Sequence, residues 1–244
     1  MIILPDEPGL SRALADCILH SASHCVSTQG RFYVALSGGS TPRAAHRLLA
    51  GEPVRSAFPW EHTSVFWVDE RCVNPDDPAS NYGNACRDLL DRVPIPRKNI
   101  FPMPAEQPPD LGAIEYERLL ASVFELPPDA FPRFDLVLLG LGNDGHTASL
   151  FPGDPAPAEN GRLVIPVLGG VPKVDRLTLT LPVLNAAAEK VFGVSGREKA
   201  DAVRAVLESG ETRLPASQVS GTRTWFIDME AASKLAGTSG GGTE

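Results

Sequence analysis

No run of eighteen consecutive apolar residues occurs in the 244-residue chain, and its first residues lack a basic segment leading into a long apolar stretch. A membrane span and a secretory leader are therefore not expected, and the cytoplasm is the expected compartment. Cysteine is sparse. Cys17, Cys25, Cys72 and Cys86 form neither a CxxC pair nor the dense spacing of a disulfide scaffold, and Cys17 and Cys25, in a helical stretch of small and apolar residues, are expected to be packing thiols. Basic residues number 22 against 30 acidic ones, a formal net charge of −8. That balance disfavours a nucleic-acid surface or an anionic membrane as partner, yet leaves room for one positive pocket built for a small anion. No HExxH helix or matched cysteine cluster is present, and no metal is expected. The serine near His146 also lacks the GxSxG setting of a covalent serine hydrolase.

What is present is a regular alternation of strand-like and helix-like segments. Leu10 to Val26 carries helical apolar spacing, and the β-rich run Phe32–Leu36 ends in Ser37-Gly38-Gly39-Ser40-Thr41-Pro42. Ala44 to Leu49 reads as a helix with Pro42 near its first turn. Further strands are expected at Thr63–Val68, Phe134–Leu139, Leu163–Val167, Arg176–Leu181, Lys190–Val194 and Thr224–Ile227. Further helices are expected at Asn84–Val93, Leu111–Phe124, Glu198–Leu207 and Met229–Leu235. Phe134–Leu139 is nearly continuous in apolar character, as suits a strand covered on both faces. The order predicts an α/β fold, a three-layer α/β/α sandwich around a modified doubly wound, mainly parallel sheet. Residues 1–236 are expected to form one domain, and the glycine-rich stretch 237–244 a flexible tail.

Three loops carry candidate chemistry. Ser37, Gly38, Gly39, Ser40 and Thr41 follow a strand and precede a helix, where backbone N–H groups and hydroxyls can cradle phosphate; an ordinary turn is the competing reading. Asp69-Glu70-Arg71 also follows a strand, so Arg71 can grip phosphate or be held by its acidic neighbours. Asn81 can bond a sugar or belong to a helix cap. In Gly140–Phe151, neutral His146 can accept a proton, Asp144 can orient it, and the N–H groups of Gly142, Asn143 and Gly145 are possible oxyanion donors. Lys173, Arg176 and Lys199 are the remaining basic candidates. His20, His24, His46 and His62 are assigned structural or solvent roles.

The full set of motifs resembles the 6-phosphogluconolactonase family. The resemblance runs through Leu36–Pro42, Val68–Arg71, Ser80–Tyr82, Gly140–Gly153, Arg176–Thr180, Ser195–Ala200 and Trp225–Asp228. It implies hydrolysis of 6-phospho-D-glucono-1,5-lactone to 6-phosphogluconate in the oxidative pentose phosphate pathway, with no cofactor. It implies phosphate binding by the Ser37–Thr41 loop, Arg71 and Lys199, with Arg176 as a further candidate. The partner is then a small sugar-phosphate lactone, and a monomer or weak homo-oligomer is expected. The related amino-sugar-phosphate isomerases place a glutamate five positions after the histidine, where this chain has Phe151. A silent sugar-phosphate sensor is the alternative of a different class; it would keep Arg71 and Lys199 but have less reason to keep His146.

Overall fold

The computed structural model describes residues 1–209 and 211–236. The expected tail, 237–244, lies outside them. The strands are β1 (Ile2–Leu4), β2 (Phe32–Leu36), β3 (Thr63–Trp67), β4 (Asp69–Arg71), β5 (Leu136–Leu139), β6 (Val164–Gly169), β7 (Val174–Leu179), β8 (Glu189–Val194) and β9 (Arg223–Asp228). The α-helices are α1 (Glu7–Gln29), α2 (Ser40–Leu49), α3 (Val54–Ala57), α4 (Asn81–Ala85), α5 (Pro109–Val123), α6 (Leu181–Ala186), α7 (Ala200–Leu207) and α8 (Pro215–Gln218).

Six strands form a wholly parallel sheet in the order β1-β9-β8-β5-β2-β3. Every residue of β5 is fully buried, as its unbroken apolar character requires of a strand between two others and under cover on both faces. Adjacent strands lock through their side chains: Phe192 and Trp225 lie opposite each other and stack at 3.8 Å. Helix α1 starts where Asp6 accepts the N–H of Gly9 and stops where Gly30 adopts the left-handed conformation, φ 77°. It packs against α2 and the sheet, which gives the expected α/β architecture of a mainly parallel sheet flanked by helices. No described helix is long and apolar enough to cross a membrane.

A second sheet was not foreseen. Its order is β4-β7-β6, with both pairings antiparallel, and α5 packs against it. Val68 is the pivot: its N–H donates to Leu36 O in the large sheet, while its carbonyl accepts from Leu179 N in the small one. Asp69-Glu70-Arg71 therefore leaves the parallel sheet as a new strand rather than trailing off as a loop. Two helix expectations also change. The helix expected at Asn84–Val93 begins earlier, because the Ser80 side chain caps Gly83 N–H, and passes into a π-turn over Cys86–Leu90. Met229–Leu235 is not a helix but a series of turns, in which Ala232 N reaches Asp228 O while Ser233 and Leu235 bond three residues back.

His46 lies on the buried face of α2, and neither ring nitrogen has a hydrogen-bond partner among the described residues. Burial pushes its pKa down from 6.5 to about 4; Asp88 opposes the shift, and Arg43 and Arg47 reinforce it. The folded protein thus keeps His46 neutral where the unfolded chain takes up a proton. The stability this represents is complete above pH 6.5 and is lost as pH falls toward 4. At about 1.4 kcal/mol per pH unit the loss amounts to about 3 kcal/mol. Urea unfolding of the parent and of His46→Leu at pH 6.5 and pH 4 checks this: the parent should lose about 3 kcal/mol more than the variant. Parallel losses would remove His46 from the acid response.

Candidate active site

Three loops leave the carboxyl ends of β2, β5 and β8, around the place where the strand order reverses between β2 and β5. Open α/β sheets bind ligands at such a switch point. Together with β4 and β7 the loops enclose a cleft of about 320 Å³. Its wall contains Ser37 to Thr41, Arg71, Asn81, His146, Arg176 and Lys199, residues scattered over more than 160 positions of sequence. Lys173 is exposed on the β6–β7 turn and is not in the wall.

The β2–α2 loop turns at Gly39, whose φ of 100° suits glycine. No side chain among the described residues caps α2, so its first-turn N–H groups, those of Ser40 and Thr41 ahead of Pro42, lack both an intrahelical partner and a cap, and they open onto the cleft. Gly38 is required by a close approach: a Cβ there would sit 1.8 Å from Asn81 Oδ1. Asn81 consequently serves as a brace. Its Nδ2 donates to the Asp69 carbonyl at 2.9 Å and the Asp69 carboxylate at 3.3 Å, while Oδ1 is closed off beside Gly38. Glu70 fixes the same segment, accepting from the N–H groups of Arg71, Asn81 and Tyr82 and from Ser80 Oγ. Burial, aided by the nearby Asp69 charge, outweighs the three backbone N–H bonds and lifts its pKa above the ordinary glutamate value.

With Glu70 occupied in this way, Arg71 is not held by its acidic neighbours. Its Nη1 donates to Ala79 O at 2.6 Å, and no carboxylate lies within salt-bridge distance among the described residues. Arg71 stands directly across from Arg176 in the β4–β7 register. Arg176 is buried, with Nε on Gly169 O at 3.1 Å and Nη1 3.4 Å from Ser149 Oγ. Burial and the Arg71 charge lower its pKa, while Asp69 and Glu70 raise it. Sequence reasoning did not assign Asp69 to this wall, nor foresee its fully buried partner Ser149, whose hydroxyl donates to the Asp69 carboxylate at 2.7 Å. No periodicity announces them, since they are 80 residues apart.

The β8 loop repeats the strand–glycine–helix pattern. Gly196, φ 100°, precedes a short turn at Arg197–Lys199, and Asp228 accepts from Gly196 N–H and Ser195 Oγ to hold the loop shut. Lys199 is half-buried and has no salt-bridge partner among the described residues. Burial lowers its pKa, against the raising charges of Glu198 and Asp144. It is thus an ammonium with free donors beside the α2 terminus, close enough to feel the Asp144 charge.

The β5 loop presents His146. Its Nδ1 lies 2.6 Å from Asp144 Oδ1, and the same oxygen accepts the His146 backbone N–H at 3.1 Å. Burial pushes the Asp144 pKa up, but the bonds and charge of His146 outweigh it, so the carboxylate ionises below its ordinary range. An ionised carboxylate only accepts, so in the neutral ring the proton sits on Nδ1, facing Asp144, and Nε2 keeps a free lone pair. Gly142 is fixed by this pair: a Cβ there would lie 2.0 Å from His146 Nδ1. The expected oxyanion donors need correction. Gly142 N–H donates to His146 O and Gly145 N–H to Gly142 O, so both are consumed in closing the turn; Asn143 is exposed and outside the cleft wall.

Residues 5–227 match the family model described as glucosamine-6-phosphate isomerases/6-phosphogluconolactonase. The chain is 41% identical to a 6-phosphogluconolactonase of Synechocystis sp., over 96% of this chain and 97% of the relative. A 6-phosphogluconolactonase of Rattus norvegicus is 39% identical over 95% of this chain and 90% of its own. The crystal structure of a 6-phosphogluconolactonase from Thermotoga maritima superposes with a TM-score of 0.81 at 31% identity, covering 93% of this chain and 98% of that one.

Proposed function

The chain belongs to the glucosamine-6-phosphate isomerase/6-phosphogluconolactonase family, on its lactonase side, and we propose from this premise that it hydrolyses 6-phospho-D-glucono-1,5-lactone with water activated by His146. The observation that carries the reading is the Asp144–His146 pair at 2.6 Å, whose imidazole lines a cleft that also holds an uncapped helix terminus and three cations.

The phosphate docks on the first-turn N–H groups of α2 and the ammonium of Lys199, with Arg71 and Arg176 supplying further positive charge. Anchoring turns a diffuse encounter into a fixed attack geometry. Nε2 of His146 removes a proton from water as the water oxygen bonds to C1 of the lactone. Negative charge then grows on the carbonyl oxygen. Because Gly142 and Gly145 have no N–H to offer, this charge draws on the positive field of the cleft. Collapse of the tetrahedral species breaks the bond from C1 to the ring oxygen, which takes the proton from the His146 imidazolium and leaves as a hydroxyl. The open-chain acid ionises to 6-phosphogluconate. The sequence needs no metal, nucleotide or covalent intermediate. The route is that of the oxidative pentose phosphate pathway, in the cytoplasm, by a monomer or weak homo-oligomer with residues 1–236 as its working unit.

Amino-sugar-phosphate isomerisation is the less favoured reading, because Phe151 stands where those enzymes place a glutamate. A stopped assay with freshly generated lactone, corrected for spontaneous opening, and a parallel assay with glucosamine 6-phosphate separate the two. Acceleration of the first reaction alone is expected; turnover of the amino sugar alone, or of neither, would overturn the proposal. Arg71→Ala should raise KM by roughly 10-fold or more, the loss of a charged hydrogen bond, while kcat changes little. Unchanged kinetics at every substrate concentration would take Arg71 out of the binding shell.

A further inference from the structure

Among the described residues, Phe151 is the one aromatic ring that touches both chemical poles of the cleft. Its centroid lies 4.7 Å from that of the His146 imidazole, tilted by 50°, and the Arg176 guanidinium carbon lies 5.5 Å from the same ring. The β6–β7 hairpin is cut away to receive this stack. At Gly169 a Cβ would sit 2.3 Å from Phe151 Cε2, and at Gly170, φ 91°, it would sit 2.2 Å from Arg176 Nη2. The Gly169 carbonyl meanwhile holds Arg176 Nε. Two adjacent glycines therefore leave space for a ring and a guanidinium that then brace each other.

Resting on the lactonase reading above, we infer that Phe151 is a positioning residue: it sets the separation between the proton-accepting imidazole and the Arg176 guanidinium. Among the described residues the imidazole has one hydrogen bond, that of its Nδ1 to Asp144. That bond acts as a hinge, and the face of Phe151 limits the ring's swing about it. Arg176 is tied on one side by Gly169 and Ser149, and the Phe151 face limits it on the other. A branched aliphatic side chain at position 151 has no flat face with which to meet both groups. The reacting water would then be activated at one place while the substrate is held at another, and a misplacement of about 1 Å costs up to about 100-fold in rate.

Phe151→Leu and Phe151→Tyr distinguish positioning from simple support of the fold. The leucine variant should lose roughly 10-fold or more in kcat, while the inhibition constant of 6-phosphogluconate stays within about threefold of the parent. The tyrosine variant, which keeps the ring face, should retain most of the parent kcat. Where Phe151→Leu fails to fold, Gly169→Ala displaces the ring from its other side and should give the same selective loss in kcat. A kcat within about twofold of the parent in Phe151→Leu overturns the inference. So does a product affinity that falls in step with kcat, or a tyrosine variant as damaged as the leucine one. An inactive parent enzyme would instead overturn the lactonase reading itself, so the two failures are told apart.

Discussion

Replacing His146 with alanine is expected to lower kcat by about two to four orders of magnitude, the range of a positioned general base. The inhibition constant of 6-phosphogluconate should stay within about threefold of the parent, because the phosphate contacts lie on other elements. The asymmetry follows from the architecture. His146 stands on the β5 loop, whereas the proposed phosphate contacts come from the β2 and β8 loops and the small sheet. Removal of the imidazole leaves the lactone anchored beside a water that nothing deprotonates. Steady-state assays with rapid mixing and subtraction of spontaneous opening supply kcat, and product inhibition supplies the affinity. A variant that turns over at the parent rate excludes His146 as the base. One that loses product binding together with kcat makes it a substrate contact instead.

Asp144 should divide its effect between orientation and charge. One oxygen accepts both the backbone N–H and the Nδ1 proton of His146, which ties the ring to its own main chain. In Asp144→Asn the amide oxygen can keep that place, so the tautomer survives while the charge that stabilises the imidazolium is lost. Asp144→Ala loses both. The expected order of kcat is parent, then asparagine lower by roughly 10-fold, then alanine lower by roughly 100-fold, within the span of general-base effects. An alanine variant within a few-fold of the parent would show that His146 needs no partner to hold its tautomer. Since Asp144 is about half exposed, its pairing energy contributes little to stability, and unfolding midpoints of the two variants should stay close together.

Local signals were strong wherever a strand ran straight into a loop. Phe32–Leu36 is a strand with the bounds its composition suggests, and both Ser37–Thr41 and His146 reach the cleft because loops at the carboxyl ends of parallel strands converge. Tertiary choices were illegible. Nothing in Val68-Asp69-Glu70 marks the residue where the chain exchanges one sheet for another, since Val68 divides its two backbone bonds between partners distant in sequence. The glycines of the β5 loop read as oxyanion donors, because nothing local showed that closing the loop would use the N–H groups of Gly142 and Gly145. Asn81 read from sequence as a sugar contact or part of a helix cap; it reaches the cleft wall, and its amide braces Asp69 against the β2 loop. Phe151 entered only as a missing glutamate; its packing on His146 and Arg176 depends on two glycines of a distant hairpin.

The central claim is that Asp144 holds neutral His146 with its proton on Nδ1 and its Nε2 lone pair facing the cleft. Nitrogen-15 NMR of the imidazoles, with His146 identified by the signals missing from His146→Ala, tests it without any assay of turnover. The account predicts a protonated Nδ1 and a bare Nε2 in the neutral ring; a neutral ring with its proton on Nε2 would contradict it.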